Sequence, residues 1–497
     1  MQKLYKRLFA KDYVSQDLVS KLIPEDATAR RQALRSVSPD DGKYAMSSSK
    51  LTDYISAEAE WRACALVQKV LLETRAEFGQ AEQSNVDEVE RALEQIDPLN
   101  MALLEEKVTK HDQLAVIDEI GRFVSAETKA LLHPGTTSYD ILDTARSYLL
   151  RKAWTDVVAP KVAESVRKLC DLAESSADIV QAGRTHLQDT SPVTFGLTFS
   201  GYAARLADRL VMACRNFDGL RGKVSGIVGT GASVDMVIGS RKSVEFEKVA
   251  LAKLGLEPDY TATQVVQKER LTDVGHGLVS LMHVLGDFAN DMRILYSSAI
   301  GEVTSLDAKK RLGGSSADAT KNNPIDWENI AGKVAVVESG MRVLYAMVQT
   351  DLQRDLRSSV QGRYQPQAMM AETYESFERA SKALDQLHIN RDVVSVNLQA
   401  VRDNPSEAMV AILRGEGWVH PKHGIGHDFV KAMGKEAKSK GRKLLDVSMG
   451  DPDFEALHNA LSANKRAILA GQIESYLGSA KERMEKNISY ARSKVSF

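Results

Sequence analysis

The chain has 497 residues, 43% of them hydrophobic, with 65 basic against 67 acidic side chains. So even a balance sets up no net field for nucleic acid or an anionic membrane surface, which leaves small molecules and copies of the chain itself as the expected partners. The 12 prolines and 32 glycines are spread thinly rather than gathered into linkers, which fits several subdomains in one helical body. Three cysteines, Cys64, Cys170 and Cys214, are odd in number, far apart and set in apolar helical patterns, so reduced, buried thiols and a cytoplasmic setting are expected. The start MQKLYKRLFAKDYV is too charged for a signal peptide, and the most apolar stretch, around Leu278 to Ala289, is interrupted by His283 and Asp287. Neither a secreted nor a membrane-spanning chain is expected.

Taken in order, the first 34 residues are charged and weakly patterned, as an extension would be. The segment VTKHDQLAV places His111 and Asp112 on a helix. HPGTTSYDILDTA breaks the helical pattern at Gly135 and offers Thr137 and Ser138 as a helix N-cap, where free backbone donors and the dipole also receive a carboxylate. GRTHLQDTSPVTFG sets His186 beside Thr185 and two residues before Gln188, and imidazole suits proton transfer near neutral pH, although a lone His is more often structural. GKVSGIVGTGAS, from Gly222 to Ser233, has the wrong glycine spacing for a dinucleotide loop, and no strand signal precedes it. Prolines at 192, 258 and 324 bound two Pro-free intervals of 65 residues each, and a third runs from 325 to 365. Within the second, Leu271, Val274, Leu278, Leu281, Met282, Leu285, Phe288, Met292 and Leu295 recur at helical spacing and predict a helix of about 25 residues, too long to pack alone. Strand signals are sparse, so the predicted class is all-α, a bundle of long helices. Pattern breaks near Gly135 and Gln386 divide it into three subdomains, 1–134, 135–386 and 387–497.

The segment GSSADATKNNPIDWENIAG, from Gly314 to Gly332, is a Gly-led loop that exposes Ser315 and Ser316 and runs into a helix whose first turn would hold Pro324 and Glu328. Lys321 and Asn323 can supply a cation and a neutral donor to an anionic substrate. In QRDLRSSVQGR, Arg354, Ser359 and Arg363 offer two guanidinium groups and a hydroxyl suited to phosphate, although two arginines nine apart are more often surface charges. His420, His423 and His427 have spacings a metal could accept, but no Cys or nearby carboxylate pair completes the set and no metal is expected. KAMGKEAKSKGRK, from Lys431, reads as a solvated basic helix.

The Gly314 loop resembles the signature GSSxMPxKxNP of the fumarase, aspartase and adenylosuccinate lyase superfamily, with Asp318 and Ala319 in place of Met-Pro, and NPIDWEN is similar to the adenylosuccinate lyases in particular. The other segments agree. GRTHLQD resembles the THxQ region, its Leu187 and Asp189 being closer to fumarase and aspartase, and GIVGTGA matches GxVGTxA. RDLRSSVQGR matches RDxxxSxxxR, and SVSPDDGKY resembles SPxDGRY with Lys43 for Arg. The resemblance spans about residues 36 to 450. It implies a carbon–nitrogen lyase without cofactor, its helices joined in a homotetrameric core with active sites shared between chains. The implied reaction is β-elimination of fumarate from adenylosuccinate, giving AMP, and from the succinylated imidazole carboxamide ribotide of purine synthesis. By position, Ser315 is the implied base, while His186, with His111 and Glu328, protonates the leaving nitrogen. Lys321 and Asn323 stabilise the developing charge. Lys43, Tyr44, Asp112, Thr137, Ser138, Thr185, Gln264, Arg354, Ser359 and Arg363 bind substrate. Asp318 is expected to point away from that anionic substrate or to pair with a cation, in a loop loosened by the loss of Met-Pro. A sibling lyase acting on another succinylated amine or amino acid would not need Arg354, Ser359 and Arg363. A catalytically silent homologue would have no use for Ser315, Lys321, Asn323, His111 and His186 together.

Overall fold

The structure is a computed structural model that describes residues 35, 37–38, 49–306, 318 and 321–495. The elements used below, in chain order, are helices α1 (Ala57–Glu77), α2 (Asp112–Ile120) and α3 (Ser138–Ala153), strands β1 (Val180–Thr185) and β2 (Gln188–Thr194), and helices α4 (Phe195–Asp218), α5 (Glu269–Tyr296), α6 (Ile325–Ser339), α7 (Arg357–Gly362), α8 (Gln365–Gln386) and α9 (Gly426–Lys440). The protein is all-α, as expected: among the described residues strands occur only in two-stranded pairs, and β1 with β2 is the longest of them. The apolar stripe beginning at Leu271 becomes α5, one helix of 28 residues. Among the described residues no helix is long and apolar enough to cross a membrane.

The chain groups into two compact units, one made of Met1–Val158, Phe217–Thr272 and Arg342–Glu375, the other of Ala159–Asn216, Asp273–Met341 and Ser376–Phe497. In the first, α1 starts at Ser56, whose side chain accepts from the Ala59 N–H at 3.1 Å, and packs on α3 through a core that includes Ala63, Leu71, Ile141 and Ala145. A second face of α3 is polar yet buried. Asp140 and Lys223 form an ion pair with no solvent exposure on either side chain. Asp140 also accepts from the backbone N–H groups of Thr137 (2.7 Å), Ser225 (3.0 Å) and Gly226 (3.2 Å). One turn on, Asp143 takes Lys268 Nζ at 2.7 Å and the Val266 N–H at 2.9 Å. Thr144 exchanges hydrogen bonds with the backbone of Lys223, 3.1 Å each way. The α3 start is therefore clasped to two loops, 222–233 and 262–268. Gly229 has φ +79°, and a Cβ there would collide with the Ala262 carbonyl oxygen, so only glycine lets the two loops touch.

The turn before α3 is strapped from α1. Buried Arg75 donates to the carbonyls of Leu131 and Pro134, and Gln68 Nε2 lies 2.9 Å from His133 Nδ1. His133 sits at φ +70°, and burial holds its imidazole down at about pKa 4.

In the second unit, α4, α5 and α6 meet on an aromatic cluster. Phe288 of α5 packs edge-on against Phe199 and Tyr202 of α4 and against Trp327 of α6, with ring centroids 6.1, 5.1 and 5.4 Å apart. Two glycines on α5 allow the close approach: a Cβ on Gly277 would stand 3.1 Å from Ala213, and one on Gly286 would strike Val334.

Two outcomes are expected. Lys223→Met leaves the Asp140 carboxyl buried without its cation, and should lower the unfolding free energy by about 3 kcal/mol in urea titration. His133 is neutral in both folded and unfolded states above pH 6.5. As the pH falls toward 4 the unfolded chain takes up the proton and the folded chain does not. Stability should therefore drop through that window, by about 2–3 kcal/mol at its lower end. His133→Gln should remove that part of the loss, read as the difference in urea stability between pH 7 and pH 4.5.

Candidate active site

His186 stands at the tip of the β1–β2 hairpin. Thr185 pairs with Gln188, so the connecting loop is the two residues His186 and Leu187, with φ of +54° and +59°. Positive φ at both positions is what a tight two-residue hairpin needs for its strands to twist correctly, and it is costly for Leu187, whose side chain is left 66% exposed. The neck below is rigid. Arg184 binds Glu302 through both terminal nitrogens, at 3.1 and 2.6 Å, and its Nε meets Asp189 at 3.0 Å. Glu302 is fully buried and also accepts from Asn397 Nδ2 at 2.9 Å. Asp189 thus has a structural task in holding the neck.

Lys321, Asn323 and Glu328 lie at the entry to α6. Pro324 is the N-cap rather than a first-turn residue, and its carbonyl accepts from the Glu328 N–H at 3.0 Å. Trp327 anchors the turn in the aromatic cluster while Asp326 pairs with Arg379 at 2.9 Å, which leaves the Glu328 side chain on the exposed face. Lys321 is exposed and Asn323 half-buried, and the Lys321 N–H donates to the carbonyl of Asp318 at 3.3 Å. The Asp318 side chain is exposed. Among the described residues no hydrogen bond or ion pair joins His186 to Lys321 or Glu328.

The remaining candidates belong to the first unit. His111 is the N-cap of α2 rather than a residue within it. Its backbone exchanges hydrogen bonds with Thr109 Oγ1, and its Nδ1 lies 3.5 Å from Asp112 Oδ1. Thr137 caps α3, followed by Ser138, so this hydroxyl pair sits at a helix start as expected. Gln264 and Arg354 come together: Arg354 Nη1 donates to Gln264 Oε1 at 3.0 Å, and the guanidinium carbon lies 3.9 Å from the Tyr139 ring centroid. Arg363 follows α7 and shares with Asp112 a cavity of about 260 Å³, also lined by Glu60, Cys64 and Arg146. Ser359 is half-buried within α7 and hydrogen-bonds to neither arginine among the described residues.

Lys43, Tyr44 and Ser315, with most of the loop around Ser315, lie outside the described residues. His133 and Tyr139 went unrecognised in the sequence. Neither the positive φ and burial of His133 nor the approach of Arg354 to Tyr139 can be read from a linear pattern, and a residue before proline is biased toward extended backbone. His420, considered for metal, is held otherwise: its Nδ1 accepts the N–H groups of Lys422 and His423, at 3.0 and 2.9 Å. That leaves Nε2 to donate to Asp451 at 3.0 Å, which is the task of a structural histidine. Asp453 lies 3.9 Å from the same nitrogen, but Nε2 already carries its proton to Asp451.

A family model described as Lyase matches residues 41–338. The adenylosuccinate lyase of Archaeoglobus fulgidus is 26% identical over 441 residues, covering 88% of this chain and 94% of that one. That of Streptococcus mutans is 30% identical over 308 residues, 61% of this chain and 68% of its own length. The crystal structure of a fumarate lyase from Mesorhizobium sp. BNC1 superposes with a TM-score of 0.76 over 89% of this chain and 97% of that one; at 20% identity this speaks for the fold alone. The match across 41–338, and the alignment with adenylosuccinate lyases along most of both chains, place this protein among the carbon–nitrogen lyases: it belongs to the adenylosuccinate lyase family.

Proposed function

We propose that the protein releases fumarate from adenylosuccinate, giving AMP, and acts likewise on the succinylated imidazole carboxamide ribotide of purine biosynthesis. The observation that carries the nucleotide reading is Arg354. Its Nη1 is engaged by Gln264 and its carbon lies over the Tyr139 ring, while Nε and Nη2 have no partner among the described residues and suit a phosphate. A sibling lyase acting on an amino acid has no use for such a group. Asp189, which in sequence leaned toward those siblings, is accounted for by Arg184.

In the proposed reaction Ser315 takes the proton from the carbon beside one succinyl carboxylate. The electron pair left behind spreads into that carboxylate as a dianionic aci-acid, which Lys321 and Asn323 stabilise. As the carbon–carbon double bond of fumarate forms, the carbon–nitrogen bond breaks and the nitrogen takes a proton from His186, supported by His111 and Glu328. Thr137, Ser138 and Thr185 receive carboxylate oxygens. Lys43, Tyr44, Asp112, Gln264, Ser359 and Arg363 complete the nucleotide side.

A homotetramer with active sites shared between chains is part of this proposal, as are the three-subdomain division and a cytoplasmic setting. Support for self-association comes from large apolar side chains left in solvent around the nucleotide residues: Leu352 at 86%, Leu356 at 67%, Val360 at 60% and Tyr364 at 72%.

Purified protein mixed with adenylosuccinate should show the ultraviolet change of conversion to AMP, and Ser315→Ala should abolish it. Lys321→Ala should lower kcat by about 100-fold or more. Arg363→Ala should act chiefly on KM, raising it by about tenfold or more. Absence of turnover in an intact tetramer would point to a sibling substrate.

A further inference from the structure

Arg354 follows a tight turn in which its N–H donates to the carbonyl of Asp351 at 3.1 Å. A guanidinium on such a segment would ordinarily sample many rotamers, but this one is held in two directions. Gln264 fixes the Nη1 edge, and Gln264 is itself tied to the same segment, because its backbone N–H donates to the Gln353 carbonyl at 3.2 Å. Thr263 Oγ1 donates to that carbonyl as well, at 2.7 Å. The other constraint is Tyr139, second residue of α3 and 3% exposed, whose ring centroid lies 3.9 Å from the guanidinium carbon. Its backbone is fixed in turn by the Thr137–Asp140 cap and the Lys223 pair. The Tyr139 hydroxyl is buried and has no partner among the described residues. A buried phenol with no hydrogen-bond partner among the described residues is placed there for its ring.

We propose that Tyr139 is a positioning residue for substrate phosphate: its ring holds the Arg354 guanidinium so that Nε and Nη2 face the anion, and the Asp140–Lys223 pair sets the ring. The inference rests on the reading above that Arg354 receives the nucleotide phosphate. An arginine oriented before binding loses less rotamer freedom on capture, so the benefit appears in KM and in product affinity rather than in the chemical step.

The test measures KM and kcat with adenylosuccinate, and AMP affinity by calorimetry, for the full-length protein and for Tyr139→Leu, Tyr139→Phe, Arg354→Ala and the Tyr139→Leu/Arg354→Ala pair. Tyr139→Leu is expected to raise KM and weaken AMP binding by about tenfold with kcat little changed, Tyr139→Phe to rescue both, and the pair to be no worse than Arg354→Ala alone. Should Tyr139→Leu fail to fold, stepwise ring fluorination of phenylalanine at 139 keeps the shape while draining the π face, and KM should climb with each fluorine. The proposal is overturned if the two substitutions act additively, if Tyr139→Phe is as damaging as Tyr139→Leu, if fluorination leaves KM flat, or if the loss falls on kcat. If the unaltered protein neither turns over adenylosuccinate nor binds AMP, the nucleotide reading itself fails and the positioning role falls with it. An active protein with an additive cycle sinks the positioning role alone.

Discussion

Asp140 and Lys223 are an ion pair with no access to water, and either one alone would be a heavy liability in the interior. Together they act as a knot. Asp140 caps its own helix through the Thr137 N–H and receives the Ser225 and Gly226 N–H groups, while Lys223 also donates to the Gly226 carbonyl at 3.1 Å. The start of α3 and the glycine-rich loop are thereby held in one arrangement. Asp143 with Lys268 repeats the device one turn later for the segment that leads out of Gln264. A hydrophobic contact of equal area could stabilise this region as well, but it would not fix the register in which Thr137, Ser138, Tyr139 and Gln264 are presented.

The hairpin in the other unit follows a related principle with strain added. His186 and Leu187 both occupy the left-handed region, which Leu187 would not choose. The cost is borne because Arg184, Glu302, Asp189 and Asn397 hold the neck firmly. A histidine on such a tip has its position set by backbone geometry, and among the described residues its ring has no hydrogen-bond partner.

Much of this was legible from residues alone. The apolar stripe from Leu271 to Leu295 gave α5 its length, because burial against neighbours repeats at the helical period. The Thr137–Ser138 cap followed from local hydrogen-bonding preference. Arg354 and Gln264 could be nominated by motif, but not joined, since 90 residues separate them and a linear pattern carries no distance. Tyr139 gave no signal, because its role consists of what lies over its ring. The hairpin was missed for a local reason: His-Leu is not a usual pair for a turn that needs positive φ twice, and only the surrounding ion pairs make it tolerable.

The sequence by itself determined the helical class and the family to which the chain belongs, and nominated the candidate site residues, since periodicity, residue type and motif order are all properties of the string. The tertiary structure alone decided that Asp140 must find Lys223, that Asp189 serves Arg184, and that Arg354 rests on Tyr139. Those pairings depend on Coulomb attraction at low dielectric and on contact at a few ångströms, and both act through space between segments whose spacing along the chain does not constrain them.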